Sequence, residues 1–285
     1  MSRTPIITRF APSPTGLLHL GHAYAALFAD RAAKEAGGRF LLRIEDIDGA
    51  RCREAFVAAL YEDLAWLGLR WEEPVWRQSA RFADYRAGLE RLEAPGLLYP
   101  CFCTRQQIVA EVALSPAAPQ GGQGPLYPGT CRHLPKAEAA AKIATGEAYA
   151  LRLDMTRAIA LAGGAEKLRW HDRTRGWTAA RPEVFGDVVL ARKETPASYH
   201  LAVTLDDAAS GVTLVTRGED LFEATDIHRL LQALLDLPVP EYHHHRLLAD
   251  EEGRRLAKRE GARSIQSLRA EGLSPVEVRR RAGFA

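Results

Sequence analysis

The 285-residue sequence is poor in lysine, in cysteine and in long apolar runs, and each shortage narrows what the chain can be. Six of its 38 basic residues are lysine, so its cations are almost all arginine, the side chain whose planar fork suits bidentate phosphate and carboxylate recognition; a codon-driven preference for Arg and Ala gives the same count. The N-terminus, Met1 to Arg9, lacks the apolar core of a signal peptide, so nothing there points to export. The stretch Val112 to Cys131, which has no Asp, Glu, Lys or Arg, holds four Pro and four Gly and cannot be a membrane helix. A cytoplasmic setting is expected, where thiols stay reduced, so Cys52, Cys101, Cys103 and Cys131 suit a metal site plus a spare thiol better than disulfides. There is no internal repeat, no low-complexity tract and no G-x-x-x-x-G-K-[ST] phosphate loop.

What is present is ordinary in amount and uneven in position. Apolar residues at 47% and charged residues at 26% match soluble globular proteins, and the length suggests about two domains. The net charge of +2 conceals an asymmetry. From Gly253 to Ala285 nine Arg or Lys stand against three Glu, leaving the remainder mildly acidic. Such an end fits an RNA or phosphate partner, or a solvated charged tail.

The pattern predicts a strand over Ile6 to Phe10, a turn at Ala11 to Gly16, a helix from about Gly21 to Ala36 stopped by Gly37-Gly38, and a strand over Arg39 to Ile44. A strand-helix-strand unit of this length implies a parallel sheet with a crossover helix. Further helices are expected near Arg53 to Leu67, Ala80 to Leu92, residues 136–145 and Leu221 to Leu235. Strands are expected at Tyr149 to Leu153, Val188 to Leu190 and Val212 to Val215, and two short helices near Ser264 to Ala270 and Pro275 to Arg281. The fold class is therefore α/β: one domain interrupted by an insertion rather than two in series.

Arg9-Phe10-Ala11-Pro12-Ser13-Pro14-Thr15-Gly16-Leu17-Leu18-His19-Leu20-Gly21-His22 sets a rigid turn and two histidines flanking a glycine at the mouth of the first helix. A helix start offers free N–H groups and a positive dipole end to an anion, and Gly21 lets a flat ring approach the backbone. The whole string resembles the first signature of the class I aminoacyl-tRNA synthetases, in the glutamyl/glutaminyl branch, with His19-Leu20-Gly21-His22 in place of the His-Ile-Gly-His element. In the same order follow Leu42-Arg43-Ile44-Glu45-Asp46-Ile47-Asp48, similar to the branch's acidic strand end, and Tyr199 to Asp207 and Val215 to Asp220, similar to its amino-acid pocket segments. Arg255-Leu256-Ala257-Lys258-Arg259 stands where the second signature, Lys-Met/Leu-Ser-Lys-x, is expected, with Arg255 for the first lysine and Ala257 for the serine.

The resemblance implies a Rossmann-type catalytic domain with a parallel sheet, interrupted by a smaller zinc-containing insert: residues 1–97, insert 98–184, and 185–285. It implies ATP-dependent activation of an amino acid as its adenylate, with Mg2+ accompanying ATP, and transfer to an RNA hydroxyl. His19, His22 and Lys258 would act on the phosphates, with Gly21 beside the nucleotide. Arg9 and Arg217 would take carboxylates, Glu45 the ammonium, Tyr199 and Ser13 would position, and Ala11 would offer backbone. Two arginines facing a neutral amide would leave a charge unmatched, so L-glutamate is expected.

Cys101-Phe102-Cys103 and, farther on, Cys131 supply three soft thiolates, which with one oxygen or nitrogen donor make a closed tetrahedral zinc site. Resemblance to the short glutamyl-queuosine members of the branch gives Cys101, Cys103, Tyr127 and Cys131; His133 is a rival fourth ligand. Little chain follows Arg259, and no anticodon-reading domain is expected there. That shortness resembles the same members, which implies transfer of glutamate to the queuosine base of tRNA(Asp), by a monomer, with no membrane partner. A minimal synthetase charging the tRNA 3′ end and a non-catalytic tRNA-binding paralogue are the alternatives.

Overall fold

The computed structural model describes residues 5–114, 120–121, 124–192, 195–248 and 263–284. The expected opening unit is present: β1 (Ile7–Phe10), α1 (Leu20–Glu35) and β2 (Arg39–Ile44), with β1 and β2 parallel and Ile7 opposite Arg39. The Gly37-Gly38 pair ends α1 for two separate reasons. Gly37 takes a left-handed φ of +60°, and the Gly38 N–H donates back to Ala33 at 2.8 Å. A Cβ on Gly38 would lie 2.0 Å from the Ile6 carbonyl oxygen, so this position also admits the close approach of the two strands.

The chain then adds α2 (Glu54–Trp66), β3 (Glu72–Arg77) parallel to β2, and α3 (Phe82–Glu93). Next come β4 (Leu98–Cys101), α4 (Arg105–Leu114), the two-residue strands β5 (Gln120–Gly121) and β6 (Gly124–Pro125), α5 (Lys136–Ala144), β7 (Ala150–Leu153) and α6 (Met155–Leu161). The hairpin β8 (Arg169–Asp172) and β9 (Gly176–Ala179) leads into β10 (Val189–Arg192) and α7 (Tyr199–Ala209). β11 (Leu214–Gly218), α8 (Ala224–Leu234), β12 (Glu241–His245), α9 (Ile265–Ala270) and α10 (Pro275–Arg281) complete the described elements.

Three sheets position the site. β1-β2-β3 is wholly parallel; in β11-β12-β8-β9 the first three strands are parallel and β9 is antiparallel; β10-β7-β4 is antiparallel. The first two meet at β1 and β11, where the Thr213 N–H donates to the Ile7 carbonyl at 3.0 Å and the Ile7 N–H to Thr213 Oγ1 at 2.9 Å. From that seam the chain winds outward both ways, through β2 and β3 and through β12. In open α/β sheets this reversal leaves a crevice beyond the carboxyl ends of the strands.

Two apolar clusters hold the arrangement. One packs α1, α2, α9 and α10 through Leu27, Leu60, Leu64, Ile265 and Val278; the other gathers Tyr85, Leu92, Leu201, Leu231, Trp170 and Tyr242. Side chains of this size stabilise by about 1.5–3 kcal/mol each when buried. The hairpin β8–β9 falls within the 98–184 range, yet β8 pairs with β12 at Asp172 and Tyr242. Among the described residues no helix is long and apolar enough to cross a membrane.

Candidate active site

Beyond the carboxyl ends of β1, β2 and β3 lies a cleft of about 540 Å3 lined by Ser13, Thr15, Glu45, Gln78, Ser198 and Tyr199, among others, a size suited to a small ligand. The rigid turn after β1 is fastened to β2 by the Glu45 N–H, which donates to the Pro12 carbonyl at 3.0 Å. Ala11 is half-buried in that turn and Ser13 is exposed. Glu45 accepts from Arg43 Nη2 at 3.1 Å. Burial raises its carboxyl above the ordinary value, with Arg43 and Arg9 pulling the other way.

Arg9 is not among the cleft-lining residues. Its Nε and Nη2 donate to the two oxygens of Asp207 at 3.0 and 3.1 Å, and its Nη1 to the Thr216 carbonyl at 3.0 Å. Arg43 donates to the same Asp207 at 2.6 Å and lies 3.7 Å from Asp206. Asp206 in turn accepts from Gln78, Arg81 and Tyr85 at 2.7–2.9 Å. Burial alone would lift the Asp207 carboxyl, but Arg9 and Arg43 hold it down at about 2. The cluster is thus three arginines against three carboxylates, with Arg9, Arg43, Asp206 and Asp207 buried.

Arg217, on β11 and only 7% exposed, has a different environment. Its Nε donates to His244 Nε2 at 3.0 Å, its Nη2 to Thr225 Oγ1 at 2.5 Å, and its Nη1 to His228 Nδ1 at 3.2 Å and Tyr199 Oη at 3.3 Å. No carboxylate pairs with it among the described residues. Burial, then the Arg217 charge, lowers His200 and His244 to about 4 and His228 well below its usual value, so the imidazoles around this cation are neutral. Tyr199, which opens α7 behind the Ser198 cap, joins Arg217 to the cleft.

His19 caps α1: its Nδ1 accepts from the Gly21 N–H at 3.1 Å, while the His19 N–H donates to His22 Nδ1 at 3.2 Å. Both Nδ1 atoms accept, so the network assigns both ring protons to Nε2. The ring centroids are 3.8 Å apart. Ser13, Glu45 and Tyr199 therefore share one cleft; Arg217 stands behind Tyr199; His19, Gly21 and His22 form a separate group at the helix start. Lys258 and the rest of Arg255 to Arg259 lie outside the described residues.

In the other expected centre the Sγ atoms of Cys101, Cys103 and Cys131 all lie within 4.8 Å of one another, Cys103 and Cys131 at 3.5 Å. Tyr127 Oη is 3.8 Å from Cys103 Sγ, and Arg152 lies 3.9 Å over the Tyr127 ring. Donors around a tetrahedral cation with bonds of about 2.3 Å stand roughly 3.8 Å apart, so the set fits a thiolate-bound metal. His133 is exposed and outside the thiol cluster.

Sequence reasoning quoted Arg43, Asp206 and Asp207 within the motif strings but gave them no role. It missed His228, Thr225, His244 and Asp172 altogether. The one available signal was the run His243-His244-His245, of which His244 alone touches Arg217.

Comparison with known proteins places these features in context. The family described as tRNA synthetases class I (E and Q), catalytic domain, matches residues 5–282. A glutamyl-Q tRNA(Asp) synthetase of Rhodobacter capsulatus is 55% identical over 98% of this chain and all of its own length. A glutamate–tRNA ligase 2 of Nitrosococcus oceani is 40% identical over 96% of this chain but only 58% of its own. Among solved structures, a glutamate tRNA ligase from Elizabethkingia meningosepticum in complex with its amino acid aligns over 95% of this chain with a TM-score of 0.74 and 28% identity. This chain spans about half of that protein, 54%.

Proposed function

Because the chain belongs to the class I (E and Q) tRNA synthetase catalytic-domain family, and is therefore an aminoacyl-tRNA synthetase-like ligase, we propose that it activates L-glutamate with ATP and transfers it to the queuosine base of tRNA(Asp). The observation that carries the glutamate reading is the pairing of opposite charges about one cleft: Glu45 on its wall, and Arg217, a buried cation with no anionic partner among the described residues, behind Tyr199. An amino acid with a second carboxylate supplies the anion that Arg217 is not given by the described residues, and its ammonium reaches Glu45, whose described ion pair is with Arg43 alone.

Glu45 takes the ammonium. Arg217, acting with Tyr199 Oη, takes a carboxylate; Arg9 contributes the Nη hydrogens that Asp207 and Thr216 leave. Ser13 and the Ala11 backbone fix the orientation. The α-carboxylate oxygen attacks the α-phosphorus of Mg2+-bound ATP, the P–O bond to the β-phosphate breaks, and pyrophosphate leaves. An acceptor hydroxyl then attacks the adenylate carbonyl and AMP departs. His19 and His22 offer Nε2–H donors and Gly21 its backbone to the nucleotide at the α1 start; Lys258 stabilises the triphosphate charge. A structural Zn2+ held by Cys101, Cys103, Cys131 and Tyr127 pins the 98–184 insert, with β8 and β9 as the return to the catalytic sheet.

The test is glutamate-dependent ATP–pyrophosphate exchange without tRNA, followed by labelled glutamate transfer to tRNA(Asp) with and without queuosine. Exchange without RNA and labelling confined to the queuosine-bearing tRNA are expected. Equal labelling of both tRNAs overturns the acceptor; labelling of tRNA(Glu) favours a minimal 3′-charging enzyme, which the 40% identity to a glutamate–tRNA ligase also supports. No exchange leaves a tRNA-binding paralogue ahead.

A further inference from the structure

A buried guanidinium is usually met by carboxylates, because desolvating a lone charge costs several kcal/mol. Arg217 is met instead by neutral acceptors, and a neighbour dictates the proton position of one of them, His244. Asp172 Oδ2 lies 2.7 Å from His244 Nδ1 and also accepts the His244 backbone N–H at 3.1 Å, and both side chains are fully enclosed. A carboxylate can only accept there, so the His244 proton sits on Nδ1 and its Nε2 lone pair faces Arg217 Nε. On the far side, Arg217 Nη1 donates to Tyr199 Oη, and no acceptor for the Tyr199 O–H appears among the described residues, so that proton is turned toward the cleft.

We propose that Asp172 and His244 are positioning residues for the carboxylate site: Asp172 fixes the His244 tautomer, His244 holds Arg217 through a neutral acceptor, and Arg217 orients the Tyr199 hydroxyl as a donor to the ligand carboxylate. The assignment rests on the glutamate reading above. The device leaves the arginine charge without a counter-ion among the described residues, so an anionic side chain is favoured over its neutral amide. A carboxylate in direct contact with Arg217 would remove that preference.

The Asp172→Asn variant is unusually decisive here. Asp172 Oδ1 accepts the backbone N–H groups of Thr174 at 2.9 Å and Arg175 at 3.1 Å. With the Thr174 hydroxyl a third donor on that side, the amide oxygen of Asn is favoured there, so its NH2 faces His244 and the bond from the His244 backbone N–H is lost as well. The imidazole is then driven to the Nε2–H tautomer, which points a donor at the Arg217 donor.

The experiment combines nitrogen-15 histidine NMR with exchange kinetics. Unsubstituted protein is expected to show His244 protonated on Nδ1, and D172N on Nε2. In D172N the KM for glutamate rises on the order of tenfold or more with a smaller change in kcat. H244Q supplies an amide oxygen to Arg217 without needing Asp172, so in that background D172N raises KM by less than about twofold. A His244 protonated on Nε2 in the unsubstituted protein overturns the proposal. So does an equal KM rise in both backgrounds, which is what a merely structural Asp172 would give. If the unsubstituted protein shows no glutamate-dependent exchange, the functional reading fails, and the tautomer measurement still decides the relay by itself.

Discussion

Two buried arginine environments sit side by side in this fold and answer the same problem oppositely. Around Asp207, the guanidinium groups of Arg9 and Arg43 are matched by carboxylates that belong to the chain. Around Arg217, the partners are three neutral side-chain types, His, Thr and Tyr. Internal pairing meets the charge of the first cluster whether or not anything is bound, so it joins β1, β2 and α7 and leaves Arg9 only its spare Nη hydrogens for a ligand. The second is incomplete as an electrostatic unit and gains most from an anion arriving through the cleft. Closeness of cations to a cleft therefore says less about binding than whether their charge is already met.

The comparison is broken most directly at Asp207. Asp207→Asn leaves two buried guanidiniums with a lost anion and is expected to cost about 3–5 kcal/mol of stability, read as a lower denaturant midpoint with an unchanged slope. Arg217→Gln should do the reverse. It removes a charge that no anion pairs among the described residues, so stability changes by less than about 1 kcal/mol, while kcat/KM for glutamate in exchange falls roughly a hundredfold or more. A large loss of stability with activity kept would exchange the roles of the two sites.

Acid separates the same two regions. His200 and His244 sit at about 4 in the folded chain, below the ~6.5 of an unfolded histidine. The unfolded state then binds more protons between those values, so this stability is present above about pH 6.5 and lost as pH falls toward 4, on the order of 3 kcal/mol per histidine. Asp207, held at about 2 against ~3.9 unfolded, contributes a further 2–3 kcal/mol or so that is present above pH 4 and lost as pH falls toward 2. Glu45, shifted upward, opposes the second loss. Thermal midpoints against pH should therefore fall in two stages. Arg217→Gln shallows the first, because Arg217 is one cause of the histidine shifts, and Asp207→Asn shallows the second, to which Asp172, also held low, contributes; a single stage unaffected by either variant would contradict the division.

Much of this was legible in the sequence because glycine, proline and helical periodicity carry local information. The strands β1 and β2, the Gly37-Gly38 stop and the helices α1, α2, α3 and α8 lie within a few residues of their expected positions. β3 was not, since Glu-Glu-Pro interrupts any apolar alternation, nor was β12, whose residues Glu241–His245 are polar by composition yet mostly buried. The difference between Arg9 and Arg217 was equally hidden. Both read as carboxylate ligands, and only the fold brings Asp207 to one and His244, from 27 residues away in sequence, to the other.

The cysteine cluster inverts the Arg217 arrangement: here the chain gathers anion-forming donors around a position suited to a cation. Burial raises the Cys103 thiol to about 11, while hydrogen bonds from Phe102, Tyr127 and its fellow cysteines carry Cys131 below its usual value against the effect of burial. A metal that replaces those protons relieves the crowding of three sulfurs. Cys101→Ser should then abolish bound zinc by metal analysis. Tyr127→Phe removes only an oxygen donor, which water can replace, so zinc should remain at full stoichiometry with affinity lowered by roughly tenfold. His133→Ala, exposed and apart from the sulfurs, should change neither; if it weakens zinc binding while Tyr127→Phe does not, the fourth ligand is the imidazole and the phenol serves only to receive the Cys131 N–H.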